Sequence, residues 1–377
     1  MKVHRHALMP QTLGAQREII SMHFGPEGQG KQVYMQAGLH ADEHPGMLAL
    51  HHLKNYLLAL EAAGRLTGEI ILVPVANPIG LGNFVFGRHH VGRFELSSKE
   101  NFNRNYPDLA ELVHEPISRA LGGDAGANVA LIRRSIHERL GVLQPRTELE
   151  SLRLTLLRLA SAADYVLDLH CDSEALVHVF AHSKQQDQAR TLGGSIGAHA
   201  ILHAVEAGGP GATTHTFADS FTAVWERLQQ RFPHLPIPMA TFSATLELRG
   251  LYDVSHELGT HDADALLAYL GQIGLITDAE VKATPALCEP TPWAGVEILN
   301  APHSGVVAYR AALGSKVGPG TALADVIDPL SGQVSTLYSN IAGVFYARVV
   351  ERFTEANTEL TFVAGKEPVR WGSLYCA

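Results

Sequence analysis

Apolar and polar positions alternate along residues 31–37 (KQVYMQA), the period of a half-buried strand. A short loop follows. Residues 47–60 then carry apolar side chains at helical spacing behind Pro45, which suits a first helical turn. The run 69–75 (EIILVPV) reads as a buried strand ending at Asn77-Pro78. Helical periodicity spans 127–140 and 147–161, with Gly141 as the stop between them. Strand patterns return at 165–171 (YVLDLHC), 175–182 and 240–248 (ATFSATLEL), and helical ones at 217–232 and 257–273. Strands alternating with helices predict an α/β fold over about residues 1–285, a mixed central sheet with helices on both faces.

The pattern changes after Pro285. Residues 288–293 (CEPTPW) have the composition of a linker, and helical periodicity then nearly disappears. Short strands at 306–309, 321–327, 343–349 and 360–363, punctuated by glycines, predict a small all-β domain over 290–377, a barrel or sandwich. Residues 305–324 resemble half of a lipoyl or biotinyl carrier domain. A carrier needs a lysine at its hairpin tip, and the tip at 328–333 (DPLSGQ) has none. The expected role is therefore structural or pocket-covering.

Charge narrows the partners. With 29 Lys+Arg against 38 Asp+Glu, the 377-residue chain has a net charge of −9, a poor match to nucleic acid. Its 46% apolar and 18% charged content predicts a folded chain. No run approaches the ~18 apolar residues of a membrane span, and the start has no signal-peptide core. Cys171, Cys288 and Cys376 form no C-x-x-C pair and no even set, so the expected setting is reducing and cytoplasmic. No heptad seam points to an assembly, which leaves a homo-oligomer open. The 21 histidines direct attention to metal chemistry.

Four segments could carry that chemistry. His40-Ala-Asp-Glu43-His44 follows a strand, and a His and a Glu three apart can face one metal ion from a turn. Read alone, it is equally a solvated loop. Asp168 and His170 point to one face of an apolar strand, so His170 can supply a further ligand and Asp168 can orient a neighbour. A satisfied core histidine is the alternative. Asn103-Arg104, within Asn101-Phe-Asn-Arg-Asn105, offers a planar fork and an amide donor for a carboxylate, or else a polar turn before Pro107. Thr241, Ser243, Thr245 and Glu247 share one strand face, which either lines a site or is solvated at an edge. His40-x-x-Glu43-His44 also matches the H-x-x-E-H of inverted zinc proteases, but Pro45 argues against the continuous helix that this motif requires.

Two candidate ligands after one strand, a third about 130 residues later, an Asn-Arg pair between them and a later carboxylate form a specific set. In this set the chain resembles the succinylglutamate desuccinylase/aspartoacylase family of zinc carboxypeptidase-like hydrolases, over most of its length. The resemblance implies that His40, Glu43 and His170 bind one zinc ion. It implies Glu247 as general base and acid, and Asn103 and Arg104 as holders of a small-molecule substrate's carboxylate. It also implies an arginine polarising the scissile carbonyl, for which Arg93 is the match and Arg88 the rival. The expected reaction is hydrolysis of the amide of an N-acyl amino acid. A carboxypeptidase-like peptidase and a non-catalytic zinc- or ligand-binding protein are the alternatives. Asp172, Arg249 and Tyr252 lie near these residues in sequence, and the segment 108–163 is longer than compact members need.

Overall fold

A computed structural model of the chain describes residues 1–87, 89–204, 216–278 and 284–370. The main sheet is built from β1 (Lys2–Ala7), β2 (Glu18–Phe24), β3 (Gln32–Ala37), β4 (Glu69–Val73), β5 (Tyr165–Asp172), β6 (His178–His182), β7 (Ala200–Ala204), β8 (Phe242–Gly250) and β9 (Pro290–Pro292). Its nine strands lie in the order β1-β2-β4-β3-β5-β8-β6-β7-β9. The central strands β4, β3, β5 and β8 are parallel. β2 and β6 run antiparallel to them on either side. The sheet is therefore mixed.

Seven helices are described: α1 (Pro45–Ala62), α2 (Leu109–Ile117), α3 (Ala125–Val142), α4 (Glu148–Ala160), α5 (Gln186–Ile196), α6 (Phe217–Arg231) and α7 (His256–Gln272). The two-residue period of the strands sorts them into two cores. Val33, Met35, Leu167, Leu169, Ala244 and Leu246 pack with α1, α5 and α7. Tyr34, Val73 and Val166 pack with α2, α3, α4 and α6 on the opposite face. Central parallel strands buried on both sides explain the near-continuous apolar runs in the sequence. The polar positions Gln36, Asp168, His170, Ser243 and Glu247 all alternate onto the α4/α6 side.

Departures from the sequence expectation have local causes. β1 and β2 pair antiparallel at the sheet edge, where β1 is largely exposed and carries no apolar run. α2 lies outside the helices that the periodicity predicts, although Asp108 caps it by accepting from the Ala110 and Glu111 amides. The apolar stretch from 175 to 182 is split. Glu174–Ala175 pairs with the C-terminal sheet, and only His178–His182 joins the main one. The stretch read as a linker contributes β9, which pairs parallel with β7.

The C-terminal strands are β10 (Val296–Asn300), β11 (Gly305–Tyr309), β12 (Lys316–Val317), β13 (Ala322–Ile327), β14 (Val334–Tyr338), β15 (Gly343–Arg348), β16 (Phe353–Thr354) and β17 (Glu359–Gly365). They form two antiparallel sheets, β10-β17-β15-β12 and β14-β13-β11-β16. Among the described residues no helix is long and apolar enough to cross a membrane. Cys171 and Cys288 are free thiols, and Cys376 lies outside the described residues.

Candidate active site and metal centre

The loop after β3 turns on Gly38, at φ +69°, and presents His40 and Glu43 before α1 begins at Pro45. His44 has helical angles of φ −88° and ψ −22° despite preceding a proline, but it stands at the N-terminal boundary of α1, not within the helix. His40 therefore lies outside any helix shared with His44, and the inverted-motif geometry is absent. The His44 ring instead stacks on His90 at 5.7 Å. Gly46 lets α1 approach β5 closely, since a Cβ there would lie 2.9 Å from Leu169 Cβ. That contact sets the His40 loop beside the end of β5, where His170 projects.

His40, Glu43 and His170 converge, each buried, and one ligand atom from each lies within 4.8 Å of the others. Glu43 is the hub. Its Oε1 is 2.9 Å from His40 Nδ1, and its Oε2 is 2.8 Å from His170 Nδ1. The outer nitrogens are pinned from behind. Asn101 Oδ1 lies 2.9 Å from His40 Nε2, and Asp168 Oδ2 lies 2.9 Å from His170 Nε2. Acceptors on both Nε2 atoms assign an N–H there, so a metal ion held beside Glu43 would meet both Nδ1 lone pairs; without one, the His170 Nδ1 carries a proton toward Glu43. Two imidazole nitrogens and a carboxylate, with oriented outer partners, are a donor set that could hold a metal ion and that suits zinc.

The support continues through the sheet. Gln36 donates to Asp168 Oδ1 at 2.9 Å, and Tyr34 donates to Gln36 at 2.8 Å. Burial and the nearby Arg93 lower the His40 pKa and favour the neutral ring that a metal needs. For Glu43, burial pushes upward, but the two histidines outweigh it and hold the carboxyl well below its usual range. Burial opposes a charge on His170, yet Asp168 and Glu43 hold it well above the ordinary histidine value. The centre is thus built around one positive charge, carried as a proton or as a metal ion.

Arg93 reaches the site through a backbone crossing. Ala41 donates to the Gly92 carbonyl at 3.0 Å, and a Cβ on Gly92 would lie 2.2 Å from the Asp42 nitrogen. Only glycine fits there, and it brings the Arg93 Nη2 to 2.9 Å from Glu43 Oε1. Arg88 lies outside the described residues. Asn103 is buried beside His170, with Nδ2 3.4 Å from His170 Nε2. Its Oδ1 accepts from the Phe217 amide at 2.8 Å, so the Nδ2 end is the one turned toward His170. Arg104 is half-buried, and its Nη1 donates to the Asn103 carbonyl at 2.8 Å.

Glu247 stands on β8, an interior strand, so its polar face is not a solvated edge. In register it lies opposite His170 on β5 and opposite His178 on β6. Burial pushes its carboxyl up to about 8, with Glu43 and Asp172 adding to the shift and His170 and Arg93 opposing it. A carboxyl of that kind is poised to exchange a proton near neutral pH. Two residues with evident roles escape sequence reasoning. Asn101 sits in the Asn-rich motif, but its partner is 61 positions away. His178 is one more histidine on a strand until the register with Glu247 is seen.

Residues 29–121 match the succinylglutamate desuccinylase/aspartoacylase catalytic-domain family. No curated protein matches the chain. Among solved structures, a succinylglutamate desuccinylase/aspartoacylase family protein from Shewanella amazonensis SB2B aligns over 97% of this chain and 98% of its own, with TM-score 0.82 and 23% identity. A similarly named protein from Shewanella frigidimarina NCIMB 400 aligns over 97% of both chains, with TM-score 0.82 and 21% identity. The ectoine utilization protein EutE (DoeB) from Ruegeria pomeroyi aligns over 97% of this chain and 95% of its own, with TM-score 0.65 and 18% identity. Over residues 29–121 the sequence is similar to the succinylglutamate desuccinylase/aspartoacylase catalytic domain, and the whole chain has the fold of structures named for that family.

Proposed function

We propose that the chain is a zinc-dependent hydrolase, with one zinc per chain, that cleaves the amide bond of an N-acyl amino acid or a related small carboxylate. The observation that carries this reading is the cage of His40, Glu43 and His170, pinned by Asn101 and Asp168 and set beside Glu247. Zinc in that cage supplies Lewis-acid polarisation and lowers the pKa of water. Glu247 takes the proton from the attacking water and returns it to the leaving amine. Arg93, held at the rim by Glu43, stabilises charge developing on the scissile carbonyl oxygen. Arg104 and the Nδ2 of Asn103 hold the substrate's carboxylate.

The test is a zinc-loaded activity screen over N-acyl amino acids and dipeptides, with detection of released amine. The expected result is amine release from N-acyl amino acids that Glu247→Gln abolishes while the zinc content stays unchanged. Turnover retained by Glu247→Gln would overturn the general-base role. Amine release from dipeptides alone would replace the acylase by a carboxypeptidase.

A further inference from the structure

The long segment 108–163 builds one wall of a cavity of about 830 Å³, and none of His40, Glu43, His170 and Glu247 lines it. The loop after β1 and the stretch 95–107 supply the rest of the wall. Residues 100–105 divide this cavity from the metal centre. Asn101 and Asn103 turn to His40 and His170, whereas Glu100 and Asn105 line the cavity. Arg153 of α4 joins the two sides. It lines the cavity and is only 5% exposed. Its Nη1 donates to Glu100 Oε2 at 2.9 Å, and its Nη2 donates to the Asn101 carbonyl at 3.1 Å. The side chain of that same asparagine pins His40.

Met9, Ile79, Leu143, Leu149 and Leu154 give the cavity an apolar side that suits a hydrocarbon body. The polar lining is one-sided. Each carboxylate in it already has a donor. Glu148 accepts from Arg17 at 2.8 Å, Glu100 from Arg153 and Asn105 at 2.9 Å each, Glu150 from the Arg146 amide at 2.6 Å, and Glu95 from the Ser98 amide at 2.5 Å. The donors are not matched in the same way. Among the described residues nothing accepts from the buried Arg153 Nε. The exposed Arg146 guanidinium has no ion-pair partner among them either. α4 opens into the cavity, and its cap, Thr147, takes only the Glu150 amide, so the Glu148 and Leu149 amides are left without acceptors. Arg17, Arg146 and Arg153 stand against four carboxylates, so overall charge does not choose the ligand. The unmet donors do, and they call for an anionic oxygen.

The structure assigns this cavity as an effector site, separate from the metal centre, for a monocarboxylate with an apolar body. The carboxylate meets Arg146 and the first turn of α4, and the hydrocarbon lies along the leucines. A ligand that fills the cavity holds Arg153 in place. Arg153 holds the Asn101 carbonyl, and Asn101 Oδ1 sets the His40 ring, so ligand and metal should each tighten the other. This link rests on metal binding by His40, Glu43 and His170, and not on the hydrolytic reaction.

The experiment reads the site and the link separately. Octanoate is titrated by calorimetry into zinc-loaded and metal-free protein, with 1-octanol as the uncharged control. Octanoate is expected to bind both forms, about tenfold or more tightly than 1-octanol. Arg146→Gln should remove that preference. Gln144→Trp, which fills the cavity from an exposed position, should weaken both compounds about tenfold. Unchanged urea midpoints check that both variants fold. Octanoate held instead by the zinc or by Arg104 would survive both substitutions and overturn the site, as would equal binding of the two compounds or no binding. The zinc dissociation constant is then measured by chelator competition. Saturating octanoate should lower it about fivefold, and Arg153→Lys, whose ammonium cannot reproduce the planar fork, should shrink that effect. An unchanged or raised constant overturns the effector role. Failure to bind zinc with or without octanoate would overturn the metal reading, and the metal-free titration would still decide the site.

Discussion

The sharpest stability prediction concerns the residue two places after Glu247. His170 faces Glu247 and Asp172 faces Gly250, so β8 spends three steps where β5 spends two. The extra residue makes a bulge, a device that re-aims neighbouring side chains. Arg249 within it has φ +66°, a left-handed conformation costing an L-residue about 1–2 kcal/mol. The guanidinium meets Asp262 of α7 in a fork, Nη1 to Oδ1 at 2.9 Å and Nη2 to Oδ2 at 2.5 Å. The side chains are 14% and 4% exposed. Removing one partner of such a buried pair costs about 3–5 kcal/mol, because the other charge is left unpaired. Asp262→Ala should therefore destabilise by about 3 kcal/mol, at the lower end because Arg249 keeps some contact with water. Arg249→Gly/Asp262→Ala removes both charges and places glycine where the backbone is left-handed. It should be more stable than Asp262→Ala alone, with a departure from additivity of about 2 kcal/mol. Urea denaturation of the wild type, both single variants and the double variant, all zinc-loaded, measures the cycle. If Asp262→Ala stays within about 0.5 kcal/mol of wild type, or the two changes simply add, the pair does not hold the bulge.

Three further outcomes follow from the same geometry. Asn101→Ala and Asp168→Ala release the outer nitrogens of His40 and His170, and each should weaken zinc binding by about 10–100-fold in competition with a chromophoric chelator. In the metal-free protein, Glu247 and His170 both titrate above their ordinary values when folded. A raised folded pKa stabilises below the unfolded value and loses that contribution as pH rises through the folded one. The apo protein should therefore lose the Glu247 contribution to its stability between about pH 4.5 and pH 8. Glu247→Gln should flatten part of that slope, as read by denaturation at several pH values. Removing zinc should lower the Tm most at alkaline pH, where the ligands no longer compete with protons, and calorimetry with and without chelator checks it.

The legible parts of this chain are those that depend on local periodicity. The alternation in 165–171 marks β5, and once it is a strand, Asp168 and His170 must share a face. The same logic puts Ser243 and Glu247 on one side of β8. Pairings across the sheet were not legible. Nothing local in Asn101-Phe-Asn-Arg-Asn says that the first asparagine turns to His40 and the second caps the Phe217 amide, because both partners are distant in sequence. His178 was hidden for the same reason, since its meaning is its register with Glu247. β1 escaped because an edge strand with Lys2, His4, Arg5 and His6 has no apolar face to read.

The C-terminal strands acquire a reason from where they attach. β15 pairs with Glu174–Ala175, which lies between Asp172 and His178. Arg348 Nε donates to Glu174 at 2.6 Å, Arg352 Nη2 donates to it at 2.6 and 2.8 Å, and both guanidiniums lie over the Tyr309 ring. The Val350 amide donates to Ser173 Oγ at 2.7 Å, and the Leu176 amide donates to the Tyr346 carbonyl at 2.8 Å. The turn from 173 to 177 is thereby held by the C-terminal sheet from both ends. That turn sets how far Asp172 stands from His178, because the two flank it. A sheet that grips the connection between β5 and β6 fixes where Asp172 and His178 stand beside Glu247, and among the described residues it does so without adding to the His40, Glu43 and His170 group.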